Sequence, residues 1–264
     1  MSVRTAFEKA AADERAALVG YLPAGFPDVD GGIDALRVMV DAGCDVIEVG
    51  LPYSDPVMDG PTIQAAAQRA LDGGVRTRDV LRTVEAVAAT GTPTVVMTYW
   101  NPVAWYGVAR FAADLASAGG SGLITPDLTP DSGAAWIAAA DDHDLDKIFL
   151  VAPSSTDERI AMTVAACRGF VYATAVMGVT GVRTSTSDLA GPLVERTRAA
   201  TDLPVAVGLG VSNGVQAAEV ASYADGVIVG SAFVRCLLDH DDRAEALAAL
   251  RHLTEDLAEG VRRG

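Results

Sequence analysis

Apolar and polar positions change period again and again along the chain. Short runs rich in Val, Ile and Leu alternate with longer Ala-rich stretches whose apolar residues recur every three or four positions. The short runs predict strands over residues 18–22, 45–49, 94–98, 122–125, 147–151, 170–174, 204–207 and 226–229. The longer stretches predict helices over 29–42, 63–71, 77–89, 108–118, 132–140, 157–166, 188–200, 214–222 and 242–261. An extra helix at 5–12 precedes the first strand, and a short one at 232–238 follows the last. Strictly alternating strands and helices imply parallel pairing with helices packed outside. Eight such units predict an α/β chain closed into a (β/α)8 TIM barrel, a fold of typically about 250 residues. An open doubly wound sheet stays an alternative, because periodicity cannot show closure.

Composition narrows the partners. The 264 residues are 50% hydrophobic, enough for a sizeable core, and no shift in composition marks a boundary, so residues 1–264 read as one domain. A formal net charge of −15 would repel nucleic acid and anionic membranes. Charged residues from Arg4 to Arg15 break up any leader-like run, and no apolar stretch approaches a membrane span, which predicts a soluble, cytoplasmic protein. Cys44, Cys167 and Cys236 lack CxxC spacing and sit among apolar residues, so they read as small packing residues.

In a barrel all loops that follow strands share one face, where chemistry concentrates. The second strand carries Glu48 near its carboxyl end, and Asp59 follows in a Pro/Gly loop, an arrangement suited to acid/base work. The structural alternative makes Glu48 an arginine-paired buried carboxylate and Asp59 a helix cap. Gly208-Leu209-Gly210 follows the seventh strand and Gly230-Ser231 the eighth. Glycines admit close approach of backbone amides to an anion, a helix start adds a favourable dipole, and Ser231 adds a hydroxyl. These loops therefore predict a phosphate site, with ordinary turns as the alternative. The long Thr/Ser-rich connection after the sixth strand, opening with Gly178-Val179-Thr180-Gly181, has the composition of a closing loop.

Absences restrict the reaction. The only lysines, Lys9 and Lys147, fall on the leading helix and at the starting end of the fifth strand, away from the active face, so a Schiff-base mechanism has no nucleophile. His143, His240 and His252 are scattered and form no metal set. Carbon–carbon cleavage, isomerisation or condensation of a sugar phosphate by carboxylates is what remains, and a phosphosugar isomerase stays open beside a lyase.

At this point the chain resembles the tryptophan synthase α subunit family. The resemblance rests on IEVGLPYSDPVMDGPTIQ at 47–64, MTYWNP at 97–102, MGVTGVR at 177–183, VGLGVS at 207–212 and VGSAFV at 229–234, which together span nearly the whole chain in the family's order. It implies reversible cleavage of indole-3-glycerol phosphate to indole and glyceraldehyde 3-phosphate. It also implies Glu48 as acid/base, Asp59 as partner of the indole nitrogen, and Gly181, Gly208, Gly210, Gly230 and Ser231 at the phosphate. Leu22, Phe26 and Tyr99 are expected to wall the indole, with Tyr21, Ile63 and Tyr172 beside them. Thr180 is expected to bond Asp59 on loop closure. No cofactor or metal is expected in this chain; pyridoxal phosphate belongs to the β subunit, the partner expected in an α2β2 heterotetramer. Trp100, Trp105 and Tyr106, in what reads as a loop, put aromatic surface on the active rim for that partner. A barrel kept mainly as a binding and regulatory partner is the rival from another class, and two intact acids argue against it.

Overall fold

The computed structural model describes residues 2–174, 187–208 and 210–264. Its strands are β1 (Ala17–Pro23), β2 (Val46–Gly50), β3 (Thr94–Met97), β4 (Gly122–Ile124), β5 (Asp146–Ile148), β6 (Leu150–Val151), β7 (Val171–Thr174), β8 (Val205–Gly208) and β9 (Gly226–Val229). The helices are α1 (Val3–Ala12), α2 (Val29–Ala42), α3 (Pro61–Asp72), α4 (Thr77–Ala88), α5 (Trp100–Tyr106), α6 (Val108–Ser117), α7 (Ala134–Asp142), α8 (Asp157–Ala166), α9 (Ser187–Arg198), α10 (Gly214–Ala221), α11 (Ser231–Leu238) and α12 (Arg243–Gly260). All pairings are parallel, in the order β5-β4-β3-β2-β1-β9-β8-β7-β6. Since β5 and β6 are separated only by Phe149, they occupy one position in the ring, and the nine segments make a nearly closed eight-membered barrel. The predicted strand 147–151 is thus one strand interrupted in its middle.

Local chemistry sets the element ends. Asp28, Thr156, Asn213 and Asp242 cap α2, α8, α10 and α12 by accepting first-turn amides. Gly43, at φ 119°, closes α2 in a backbone region that a side chain would strain.

Side-chain alternation divides each strand between two cores. Ala17, Val19, Val46, Val95, Ile124, Ile148, Phe170, Ala206 and Ile228 fill the barrel interior. Their neighbours Leu18, Leu22, Ile47, Val49, Val96, Leu123, Val205 and Val207 pack outward against the helices. Helix α1 plugs the lower end, where Phe7 stacks on Phe170 at 5.2 Å. The plug is pinned through buried Asp146, which accepts the Val3 amide at 2.8 Å, the Ser2 hydroxyl at 3.0 Å and Arg168 Nε at 3.1 Å. Beside it Arg15 grips Asp45 with two bonds of 2.6 and 2.8 Å. Lys147 is paired with Asp141 on this same lower side.

One segment differs from its sequence reading. Residues 100–106 form helix α5 rather than a loop. Pro102 lies in its first turn, where a missing N–H costs nothing, and its leading amide on Trp100 is capped by Asp127 from the loop after β4, at 2.8 Å. That cap comes from 27 residues away and leaves no local signal. Of the three expected rim aromatics only Trp105 is exposed, at 86%. Trp100 packs against the core, and Tyr106 folds down, donating to Asp114 at 2.6 Å with Arg110 over its ring at 4.8 Å.

Candidate active site

The upper mouth of the barrel encloses a cavity of about 250 Å³ lined by Tyr21, Glu48, Leu51, Met58, Asp59, Ile63, Met97, Tyr99, Pro126, Tyr172, Gly208, Gly210, Ile228, Gly230 and Ser231, among others. The strand residues in that set are inward-pointing by alternation. In the β1–β2 pair, Tyr21 stands directly beside Glu48, both facing inward. Glycines on neighbouring strands make room for the two tyrosines: a Cβ on Gly50 would strike the Tyr21 hydroxyl, and one on Gly208 the Tyr172 hydroxyl. Gly208 therefore has a packing reason to be glycine quite apart from any ligand.

Glu48 is buried, at 1% exposure, and neither carboxyl oxygen has a hydrogen-bond partner among the described residues. Desolvation without a compensating donor penalises the carboxylate and pushes the Glu48 pKa up to about 8. No arginine among the described residues pairs with it, as the structural reading required. Asp59 lies across the cavity on the loop after β2, half-buried. Its Oδ1 accepts the Tyr99 hydroxyl at 2.9 Å, and that hydroxyl in turn accepts the Met58 amide at 2.9 Å. Burial raises the Asp59 pKa while the Tyr99 bond opposes the rise. The two acids are thus held apart in kind: one isolated in apolar surroundings, the other supported by a donor.

The opposite rim is amide-rich, and among the described residues no cation lines it. Helix α11 starts at Ser231 with Gly230 as its N-cap and no side-chain cap, so its first amides are open to a ligand. Gly210, at φ 73°, turns the chain after β8 with open space where a Cβ would be. Among the described residues no cluster of His, Cys, Asp and Glu has metal-binding geometry.

The cavity brings together Glu48, Asp59, Tyr99, Tyr172, Gly208, Gly210, Gly230 and Ser231 of the sequence-derived set, and also Tyr21 and Ile63. Leu22 and Phe26 do not reach it. Both are fully buried in the outer core, Phe26 beneath the Arg69 guanidinium at 5.2 Å. Period-two alternation explains the exchange, since an inward Tyr21 turns Leu22 outward. Thr180 and Gly181 lie outside the described residues. Sequence reasoning missed the hydroxyl of Tyr99 as the partner of Asp59, and the apolar lining by Leu51, Met58, Met97, Pro126 and Ile228. A larger cleft of about 650 Å³ opens at the lower end, but its arginines are already paired, Arg4 with Glu8, Arg15 with Asp45 and Arg198 with Asp225.

A parallel barrel whose upper mouth holds two differently tuned acids defines an enzyme of the (β/α)8 class. A family model described as tryptophan synthase alpha chain matches residues 7–262. The chain is 64% identical over 262 residues to the tryptophan synthase alpha chain of Acidothermus cellulolyticus, covering 99% of this chain and 97% of that one. It is likewise 64% identical over 260 residues to that of Salinispora arenicola, covering 98% and 97%. Its fold superposes on a solved tryptophan synthase from M. tuberculosis, open form with BRD0059 bound, with a TM-score of 0.92 at 55% identity, covering all of both chains. The alpha subunit from Legionella pneumophila str. Paris gives 0.89 at 30%, covering 99% and 98%. The chain belongs to the tryptophan synthase alpha chain family, and its activity is a lyase step of tryptophan biosynthesis.

Proposed function

We propose that Glu48 and Asp59 carry the reversible cleavage of indole-3-glycerol phosphate to indole and glyceraldehyde 3-phosphate in the upper cavity. The observation that carries this reading is Glu48: a buried carboxyl, without a hydrogen-bond partner among the described residues and with its pKa pushed up to about 8, keeps its proton at neutral pH and can deliver it. Indole cannot leave as a C3 carbanion. Proton transfer from Glu48 to C3 gives an indolenine whose positive nitrogen draws in the electrons of the breaking carbon–carbon bond, and the carboxylate of Asp59 stabilises the N–H as it becomes positive. As the bond breaks, the carbinol carbon becomes an aldehyde, and its hydroxyl proton returns to Glu48. The cycle consumes no net proton.

Gly208, Gly210, Gly230 and Ser231, with Gly181, hold the phosphate through amides and one hydroxyl, a site that suits an anion in a chain with net charge −15. Tyr21, Tyr99, Tyr172, Leu51, Ile63 and Ile228 wall the indole. Thr180 engages Asp59 when substrate is bound. Residues 1–264 act as one domain, with strands from both halves of the chain in one ring. Exposed Val57, Met58 and Trp105 on the rim support a β-subunit interface in an α2β2 assembly, with pyridoxal phosphate confined to that partner. No helix among the described residues is long and apolar enough to cross a membrane, in keeping with a cytoplasmic site of action.

Indole release from indole-3-glycerol phosphate by the purified chain, with and without a β subunit, tests the reading. Release in both conditions, faster with the partner, is expected; release in neither overturns it.

A further inference from the structure

Asp59 rides on an irregular loop, yet a catalytic carboxylate must present a defined oxygen to its substrate. Between β2 and α3 the loop has few ties to the barrel. Leu51 donates its amide to Met97 at 2.9 Å, Gln64 Nε2 donates to the Asp59 carbonyl at 2.8 Å, Asn101 Nδ2 donates to the Tyr53 hydroxyl at 3.1 Å, and Tyr99 bonds Met58 and Asp59. Tyr99 stands between β3 and α5, buried to 5% exposure, with an Asp127-capped helix behind it. It is a fixed point of the scaffold. It meets the loop twice, through its ring against Tyr53, with centroids 5.5 Å apart, and through its hydroxyl.

The hydroxyl bond has a defined direction. A phenol has one proton, and the Met58 amide can only donate, so the Tyr99 oxygen accepts from Met58 and spends its proton on Asp59 Oδ1. Accepting one bond strengthens the donation of the other. Among the described residues this is the only side-chain hydrogen bond to the Asp59 carboxyl. We propose that Tyr99 is a positioning residue for Asp59: its hydroxyl, set by the Met58 amide, holds Oδ1 and leaves Oδ2 as the oxygen presented to the substrate's ring N–H. This rests on the reading of Asp59 as the partner of the indole nitrogen. Tyr99 thereby does more than wall the pocket, and what it does depends on one oxygen atom.

The other titratable groups that line the cavity are Tyr21 on β1, Glu48 on β2 and Tyr172 on β7, and none is hydrogen-bonded to Asp59 among the described residues. A change at the Tyr99 hydroxyl is therefore felt by Asp59 selectively. Tyr99→Phe keeps the ring and deletes the hydroxyl. For indole release the expected result is a fall in kcat of about 10- to 100-fold, the range for losing a hydrogen bond to a charged group, with KM changed far less. The acid limb of the kcat–pH profile should move to higher pH, because removing a donor raises the pKa of Asp59, which must be ionised; the alkaline limb, set by Glu48, should stay. A purely structural role would lower thermal stability or raise KM without moving one limb selectively. If Tyr99→Phe does not fold, 3-fluorotyrosine at position 99, a stronger donor, should move the acid limb to lower pH. An unchanged rate and acid limb in whichever of these proteins folds overturns the proposal. Asp59→Asn separates the two failures: if it retains wild-type turnover the underlying reading of Asp59 falls, whereas if it is inactive and Tyr99→Phe is unaltered, only the role of Tyr99 falls.

Discussion

Burial without a hydrogen-bond partner among the described residues makes Glu48 both useful and costly. Its folded-state pKa of about 8 lies above the ordinary glutamate value, so the folded protein holds a proton that the unfolded chain releases. Stability then falls as pH rises from the ordinary value through about 8, and the loss is complete above it. Glu48→Gln removes this dependence, since an amide is neutral in both states. We expect turnover to drop by about 100-fold or more, while the melting temperature exceeds wild type at pH 8 and the gain shrinks toward pH 5. Thermal melts across that range check the sign. A gain over wild type no larger at pH 8 than at pH 5 would contradict the raised pKa of the buried carboxyl. Glycine shows the complementary case. Gly50 and Gly208 matter here because tyrosine hydroxyls occupy the space of their missing Cβ atoms, a relation between strands that neither residue displays in its own surroundings.

At the scale of elements, α1 and α5 show how short helices depend on distant side chains. The start of α1 is held by Asp146, more than 140 residues away, which accepts both the Val3 amide and the Ser2 hydroxyl. Asp146→Ala strands these donors together with Arg168 and should cost about 2–5 kcal/mol. Urea unfolding is the measurement, and a midpoint equal to wild type would show that the plug is held by Phe7 and Phe170 alone. The helical period of 29–42 and 157–166 matches α2 and α8 residue for residue, because Asp28 and Thr156 cap from within the same segment. Residues 100–106 gave no such sign, since the cap of α5 lies on another loop and Pro102 resembles a breaker. Parity was the other illegible feature. Leu22 and Phe26 are as apolar as any pocket residue, and only pairing of Tyr21 with Glu48 across β1 and β2 decides which side chain faces the cavity.

For the whole molecule, the distribution of exposed apolar surface carries the next expectation. Trp105, at 86% exposure, lies on the helix after β3, and exposed Val57 and Met58 lie on the loop after β2 at the same end of the barrel, while the remaining surface of a chain with net charge −15 favours staying dispersed. A solvent-facing tryptophan contributes little to the fold of the free chain, so Trp105→Ala should leave unfolding within about 0.5 kcal/mol of wild type. If this rim is the β-subunit face, the substitution should weaken association by about 2 kcal/mol or more, as for a buried aromatic anchor. Titration of rate enhancement against added β subunit checks it, and an unaltered titration curve would remove Trp105 from the interface.

Periodicity by itself determined the alternating architecture, the extra leading helix and the approximate span of every strand, because those follow from spacing within short windows. Residue type and order likewise marked Glu48, Asp59 and the late glycines, since their positions at strand ends need no knowledge of contacts. The tertiary structure decided what depends on neighbours from other strands. It closed the ring by splitting one strand between β4 and β7, turned Tyr21 inward in place of Leu22, left Glu48 without a hydrogen-bond partner among the described residues, and gave Asp59 the hydroxyl of Tyr99. Burial and hydrogen-bond partners are set by chain segments tens of residues apart, and local spacing holds no record of that distance.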